Sequence, residues 1–210
     1  MMGHGSQNRV LSALRGTEVV ADPTNVMALE CARRLRRAPE TVVRLATSHR
    51  CVRAQAIPRQ PGFSATFRLF CIVSAGLERQ NHAFVVEALA EHVSTMLLAL
   101  DRLEQDGFAF PDRRITVLAS PEKAALGDRI VASFGARSIE RSRLEHPYYS
   151  GGLRFQVSAR SRAGSALPLI DGGAFDWVAR LTSNRRAVYV ASALGSQLAA
   201  LLFRQDGRPA

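Results

Sequence analysis

The sequence predicts an α+β domain in which an antiparallel sheet is flanked by helices, grouped on one side of it. Three observations carry that expectation. Apolar runs at 41–48, 65–76, 113–119, 153–160, 166–170 and 186–192 read as strands, several of them joined by hairpin-length connections. Longer stretches between them repeat apolar residues at helical spacing. No glycine-rich phosphate loop opens any helix, which disfavours the Rossmann and P-loop nucleotide folds.

The elements follow in order. Residues 1–16 are polar and glycine-containing and are expected to be loose, with a single domain over 17–210. A helix is expected from Pro23 to Arg37: Asp22 is a plausible N-cap, Pro23 suits the first turn, and Met27, Cys31 and Leu35 share a face. "TVVRLATS" reads as a strand, then a proline-bearing loop runs through Arg59–Gly62, and "ATFRLFCIVSAG" reads as a longer, deeper strand. Val85, Leu89, His92, Met96, Leu100 and Leu103 mark a helix over 81–105, which Gly107 ends. After the strand "RRITVLA", Ser120 and Pro121 announce another helix. "LRFQVSAR" and "ALPLI" form a strand pair around Ser161–Gly164. "AFDWVARL" reads as a short helix, "RAVYVAS" as a strand, and "SQLAALLFR" as a closing helix.

Composition sets limits on function. With 210 residues, 47% apolar and 22% charged, the chain can bury one sizeable core. No uninterrupted apolar run approaches the roughly 20 residues of a membrane span. Cys31, Cys51 and Cys71 make an odd count with no close pair, which points to free, buried thiols in a reducing cytoplasm. The net charge is +10, carried almost entirely by arginine; only "RRLRR" (33–37) is dense, so a solvated basic surface is expected. The five histidines show no paired ligand spacing, so no metal site is expected. His92, on an apolar helix face, reads as a core histidine. Cys51 lies between Arg50 and Arg53, which would lower its pKa unless it is simply packed. Asp171 and Asp176 read as turn and capping residues beside Gly172–Gly173.

Four segments in order resemble the catalytic core of class II aminoacyl-tRNA synthetases, in the histidyl-tRNA synthetase branch. That branch includes the non-aminoacylating regulatory subunit of ATP phosphoribosyltransferase, which serves histidine biosynthesis. In "TEVVADPTNVMAL", Asp22 and Thr24 fall where the family holds the amino group of histidine. In "SHRCVRAQAIPRQPGFSATFRLFCIVSAG", Arg50 matches the arginine on the α-phosphate of ATP, and Phe67 the ring that stacks on adenine; a guanidinium forks two donors onto phosphate oxygens. In "HPYYSGGLRF", Tyr148 and Tyr149 match the tyrosines around the imidazole. "LIDGGAFDWVARL" with "RRAVYVASALGSQL" resembles the closing glycine-rich turn and the third motif, where Gly172 and Gly173 would let backbone approach a ligand.

The departures from the family matter as much. Val52 stands for a glutamate, Arg68 and Leu69 for a histidine and a glutamine, and Leu144 for a catalytic arginine. Ala174–Phe175 replaces an arginine–tyrosine pair, and the last ATP-binding arginine falls on Ser196 or Gln197. The resemblance also places the start of the chain after the family's first motif, its dimer segment. It therefore implies a paralogue that no longer aminoacylates, binding a small amino-acid-like ligand through Asp22, Thr24, Arg68, Tyr148, Tyr149, Gly172 and Gly173, or acting as a regulatory or assembly subunit. A partner protein or a second copy is expected, with no required cofactor, no nucleic acid and no membrane. A ligase that activates an amino acid with ATP and magnesium, through Arg50 and Phe67, is the alternative; an RNA-binding module on the arginine surface is the third.

Overall fold

The computed structural model describes residues 11–13, 17–54, 56–57, 59–134 and 139–205. A short strand β1 (Ser12–Ala13), within the stretch expected to be loose, pairs antiparallel with β2 (Thr17–Glu18) at the start of the expected domain; residues 1–10 and 14–16 lie outside the described residues. Helix α1 (Pro23–Arg37) begins where the sequence placed it. Asp22 is extended (φ −154°) and its Oδ1 accepts the Thr24 N–H at 2.9 Å, satisfying one of the free donors of the first turn.

The main sheet has seven strands. β3 (Val43–Val52) and β4 (Thr66–Leu77) form one edge, followed by β9 (Ala187–Leu194), β8 (Ala166–Phe175), β7 (Leu153–Arg160), β5 (Arg114–Ala119) and β6 (Ile139–Arg143). All neighbours are antiparallel except β5 and β6, which run parallel through helix α3 (Ala124–Ala132). A parallel pair needs such a crossover. β6 was not expected at all: its sequence, IERSR, carries no apolar alternation, and it sits on the outer edge.

Helices cover both faces, which corrects the expected one-sided grouping. One face carries α2 (Ala83–Gln105), α3 and α5 (Ser196–Leu202), and their core includes Leu89, Met96, Leu100, Ile130, Phe155 and Phe203. The other face carries α1 and α4 (Trp177–Thr182), packed on each other over Cys31, Leu35, Val73, Trp177 and Tyr189. Leu100 is fully buried, and truncating it to alanine would cost about 2–5 kcal/mol in transfer and cavity terms. The segment Gln80–Gln105 is long and apolar enough to cross a membrane by length and composition. Val85, Leu89, Met96 and Leu100 nevertheless all face the sheet, so within this fold it is a core helix.

Several boundaries moved, among them the strand expected over 41–48, which runs Val43–Val52. A 3-10 turn at Gln80–His82 precedes α2, with Asn81 and His82 left-handed (φ 56° and 55°), so the helix starts at Ala83. β8 continues through Gly172 and Gly173 to Phe175, so the expected helix from 174 begins only at Trp177. Gly107 does end α2, at φ 86°. Ser120 stands at the N-cap of a 3-10 turn (Pro121–Lys123) ahead of α3, but its side chain makes no cap bond there.

Candidate functional site: an aromatic cluster closed on Asp22

The face under α1 and α4 gathers most of the predicted residues. Asp22 uses both carboxylate oxygens. Oδ1 takes the Thr24 N–H at 2.9 Å and the Thr24 hydroxyl at 2.7 Å. Oδ2 accepts the Tyr148 hydroxyl at 3.0 Å and lies 3.8 Å from the Arg53 guanidinium. Asp22 thus caps the helix with one carboxylate oxygen and holds the Tyr148 hydroxyl with the other. Thr24 is buried, and its carbonyl accepts the hydroxyl of fully buried Tyr189 at 2.6 Å.

The two tyrosines arrive from the turn between β6 and β7. The Tyr148 N–H donates to His146 Nδ1 at 3.1 Å, which sets the direction of the turn. The Tyr148 ring then meets Tyr149, Phe175 and Trp177 edge-on, at 5.2, 5.4 and 5.7 Å between centroids. Phe175 and Trp177 lie 4.1 Å apart with their planes tilted by 32°. These are favourable aromatic geometries, each worth about 0.5–1.5 kcal/mol beyond area burial. Burial pushes the Tyr148 hydroxyl far up, and the Asp22 charge pushes it further, so the phenol remains a donor. Tyr149 is raised in the same direction, by burial first and then by Asp171.

Asp171 is not a turn residue. It lies inside β8 and holds Arg154 of β7 through two parallel hydrogen bonds of 2.9 and 2.7 Å. The Arg154 guanidinium in turn sits 5.0 Å over the Tyr149 ring. Asp176 accepts the Ser150 hydroxyl at 2.6 Å, tying the tyrosine turn to the start of α4.

Strand register separates the remaining predicted residues. Cys51 pairs with Phe67 and Arg50 with Arg68. Phe67 has the parity of Leu69, Cys71 and Val73, which pack on the Asp22 face. Arg50 and Arg68 have the parity of Phe70 and Ile72, which pack on the opposite face. The arginine that does reach Asp22 is Arg53: its Nε donates to the Ala21 carbonyl at 3.1 Å, and its guanidinium lies 4.8 Å over the Phe67 ring. Gly172 and Gly173 lie within the sheet. A Cβ on Gly172 would meet the Phe155 ring and Ser192, and one on Gly173 would meet the Tyr149 ring and the Leu153 carbonyl. Protein atoms fill the space on both.

Sequence reasoning missed Arg53, Arg154 and the roles of Phe175 and Trp177. The signals for two of them were present: Trp177 is the chain's single tryptophan, and Phe175 stands at a family departure. Cys51 is buried, with its thiol pushed up to about 11 by desolvation and then by Asp22, so the flanking arginines do not activate it. Leu144, in place of an arginine, packs into the same core. Ser196 and Gln197 turn to the β4 backbone, donating to the carbonyls of Arg68 (3.2 Å) and Thr66 (3.5 Å). His92, as expected, is a satisfied core histidine between Ser74 (3.0 Å) and Ser192 (2.9 Å). A cavity of about 300 Å3 lies elsewhere, beside the first turns of α2, where Arg44, Ser74, Glu78 and Phe84 line it.

A helix-flanked antiparallel sheet, with a capped helix, a strand–loop–strand edge and a tyrosine turn meeting on one face, defines a class II synthetase-like core. Solved structures share this class II fold, histidyl-tRNA-synthetase-like proteins among them. The apo histidyl-tRNA synthetase of S. aureus matches 90% of this chain and 53% of its own, with TM-score 0.59 and 13% identity. An ATP phosphoribosyltransferase regulatory subunit/histidyl-tRNA synthetase from Bacillus halodurans matches 92% and 67%, with TM-score 0.63 and 15% identity. The RNA binding domain of threonyl-tRNA synthetase from Cryptosporidium parvum matches 92% and 52%, with TM-score 0.64 and 11% identity. The chain spans about half the length of the two synthetase chains, and at these identities the likeness is one of fold. No family model and no curated protein matches the sequence.

Proposed function

We propose that this chain is a non-aminoacylating, histidyl-tRNA-synthetase-like protein that works in the cytoplasm as a regulatory or assembly subunit. The observation that carries the reading is the hydrogen bond from Tyr148 to Asp22. It joins the two walls between which an amino acid would sit, and the Phe175 and Trp177 rings pack behind it. On the nucleotide side, Arg53 lies over the Phe67 face where adenine would stack, while Arg50 and Arg68 point away. Binding a triphosphate takes several cations converging on it, and the described residues on this face bring no such set together. The reading needs no cofactor; ATP with magnesium belongs to the ligase alternative. A small amino-acid-like ligand could bind only by displacing the Tyr148 hydroxyl from Asp22.

The name of the Bacillus halodurans neighbour supplies the partner to test: the ATP phosphoribosyltransferase catalytic chain of the same organism. Co-elution of the two chains with a changed transferase rate supports the subunit reading. Pyrophosphate exchange that depends on an amino acid and disappears in Arg53→Ala would overturn it in favour of the ligase. Calorimetric titration with histidine and other amino acids is expected to be flat for the wild-type chain.

A further inference from the structure

Arg50 and Arg68 stand directly opposite each other on β3 and β4, both exposed, on the face away from Asp22. Like charges in directly opposed cross-strand positions repel, and folding alone gives no reason to place them there. Arg44, Arg79, Arg113, Arg154 and Arg160 each hold a carboxylate. No carboxylate reaches the Arg50 or Arg68 guanidinium among the described residues.

A second feature adjoins them. β3 is the outer strand of the sheet, and no described strand pairs with its far side. The Val52 N–H points that way and donates to the Val20 carbonyl at 3.1 Å. Strand alternation directs the N–H and C=O groups of Arg44, Ala46 and Ser48 the same way. The chain's own approach to α1 therefore uses one end of this edge, and His49 Nδ1 lies 2.6 Å from the Arg50 carbonyl beside it; among the described residues the edge is open at Arg44, Ala46 and Ser48. Ala46, Ser48 and Arg50 are all exposed on the Arg68 face.

We infer that this edge docks an extended acidic segment of a partner protein. Such a segment adds a strand to β3 and presents alternate carboxylates to Arg50 and Arg68. The inference rests on the subunit reading above and names the chemistry of its partner. Strand addition takes its affinity from main-chain hydrogen bonds and its specificity from every second side chain, and here those side chains meet two guanidiniums. A second copy of this chain fits poorly. β3 reads VRLATSHRCV and carries no carboxylate, so antiparallel self-pairing would set arginine and histidine against one another. RNA would satisfy the arginines but not the open backbone edge.

The test is fluorescence anisotropy on the full chain with a labelled peptide of alternating glutamate and valine. Binding is expected for this peptide and absent for its lysine–valine counterpart. Methylating its backbone nitrogens on the pairing side should abolish binding, since the edge bonds are then lost. Arg50→Glu with Arg68→Glu should weaken it roughly tenfold or more and transfer binding to the lysine–valine peptide. Because both residues are exposed, folding of the double variant can be verified by circular dichroism, and the gain of the basic peptide cannot come from misfolding. The inference is overturned if the acidic peptide does not bind or if the methylated peptide binds equally. It is also overturned if polyuridylate binds more tightly through the same two arginines. Amino-acid-dependent pyrophosphate exchange would remove the subunit reading without affecting peptide binding, so the two failures are distinguishable.

Discussion

Substituting Gly173 with alanine separates a packing glycine from a ligand-approach glycine. Its backbone has no positive φ, so alanine adds no conformational strain. The cost is steric. The new Cβ would lie 2.5 Å from Tyr149 Cδ1 and would collide with the Leu153 carbonyl oxygen. The ring could tilt only by disturbing its contacts with Tyr148 and Phe175. The carbonyl could retreat only by parting β7 from β8, which pair here through Arg154 and Gly173. Overpacking of this kind costs about 1–3 kcal/mol, and the backbone contact puts Gly173→Ala near the upper end. At this chain length that lowers Tm by roughly 6–12 °C. Gly107→Ala is the matched control: φ is 86° and nothing lies within 4 Å of the added Cβ, so only the left-handed backbone term of about 1 kcal/mol remains. Urea denaturation followed by circular dichroism, with an unchanged m-value, measures both. Gly173→Ala as stable as wild type, or no less stable than Gly107→Ala, would refute the packing role and return Gly173 to the ligand.

Three further outcomes follow from the same geometry. Tyr148→Phe deletes a hydrogen bond to a charged carboxylate that is largely shielded from water, and should lower stability by about 1–2 kcal/mol in the same assay; an unchanged midpoint would show that the bond is not formed in solution. Burial lowers the pKa of His92 to about 3 from an ordinary 6.5, so between those values the unfolded chain binds the extra proton. Stability should therefore fall as pH drops below about 6.5, by up to roughly 1.4 kcal/mol per pH unit, and His92→Gln should flatten that slope; identical pH profiles would refute it. Desolvation raises Cys31 to about 12 and Cys51 to about 11, and raises Cys71 as well, so iodoacetamide at about pH 8 should label none of the three in the folded chain and all three in denaturant; rapid native labelling of Cys51 would contradict its burial.

The sequence made some features legible because their physics is local. α1 could be read from Asp22 and Pro23 because a cap and a proline act within one turn. α2 could be read because its buried residues recur at helical spacing. What failed was decided between strands. β6 pairs on one side only and has no apolar code for a sequence to show. Gly172–Gly173 read as a turn because glycine pairs usually bend, yet here they let β8 pass under Phe155 and Tyr149. The Arg154–Asp171 pair joins adjacent strands, and nothing in residues 17 positions apart announces such a contact. Arg50 was placed by a motif match, but a strand's face depends on register, and the pairing of Cys51 with Phe67 puts Arg50 on the face away from Asp22 and Arg53 on the Asp22 face.

That register also fills, with the chain's own side chains, the place where an amino acid would be expected to sit. An amino acid entering such a site would offer an ammonium to the carboxylate and a flat side chain to the aromatic wall, and a nucleotide beside it would offer phosphate to an arginine. Here the Tyr148 hydroxyl meets Asp22, the Tyr148 ring lies against Phe175 and Trp177, and Arg53 bridges Asp22 and Phe67. Each contact a ligand would make already has a partner within the chain. A ligand must therefore break existing interactions before making equivalent ones, so its net affinity falls by about what those interactions contribute. Opening the site takes a change at Tyr148, the one described residue that touches both Asp22 and the Phe175–Trp177 wall. Tyr148→Ala is thus the variant in which histidine binding should appear, if Asp22 and Thr24 still hold an amino group; a flat titration of that variant would mean the pocket's chemistry, and not only its access, has been lost.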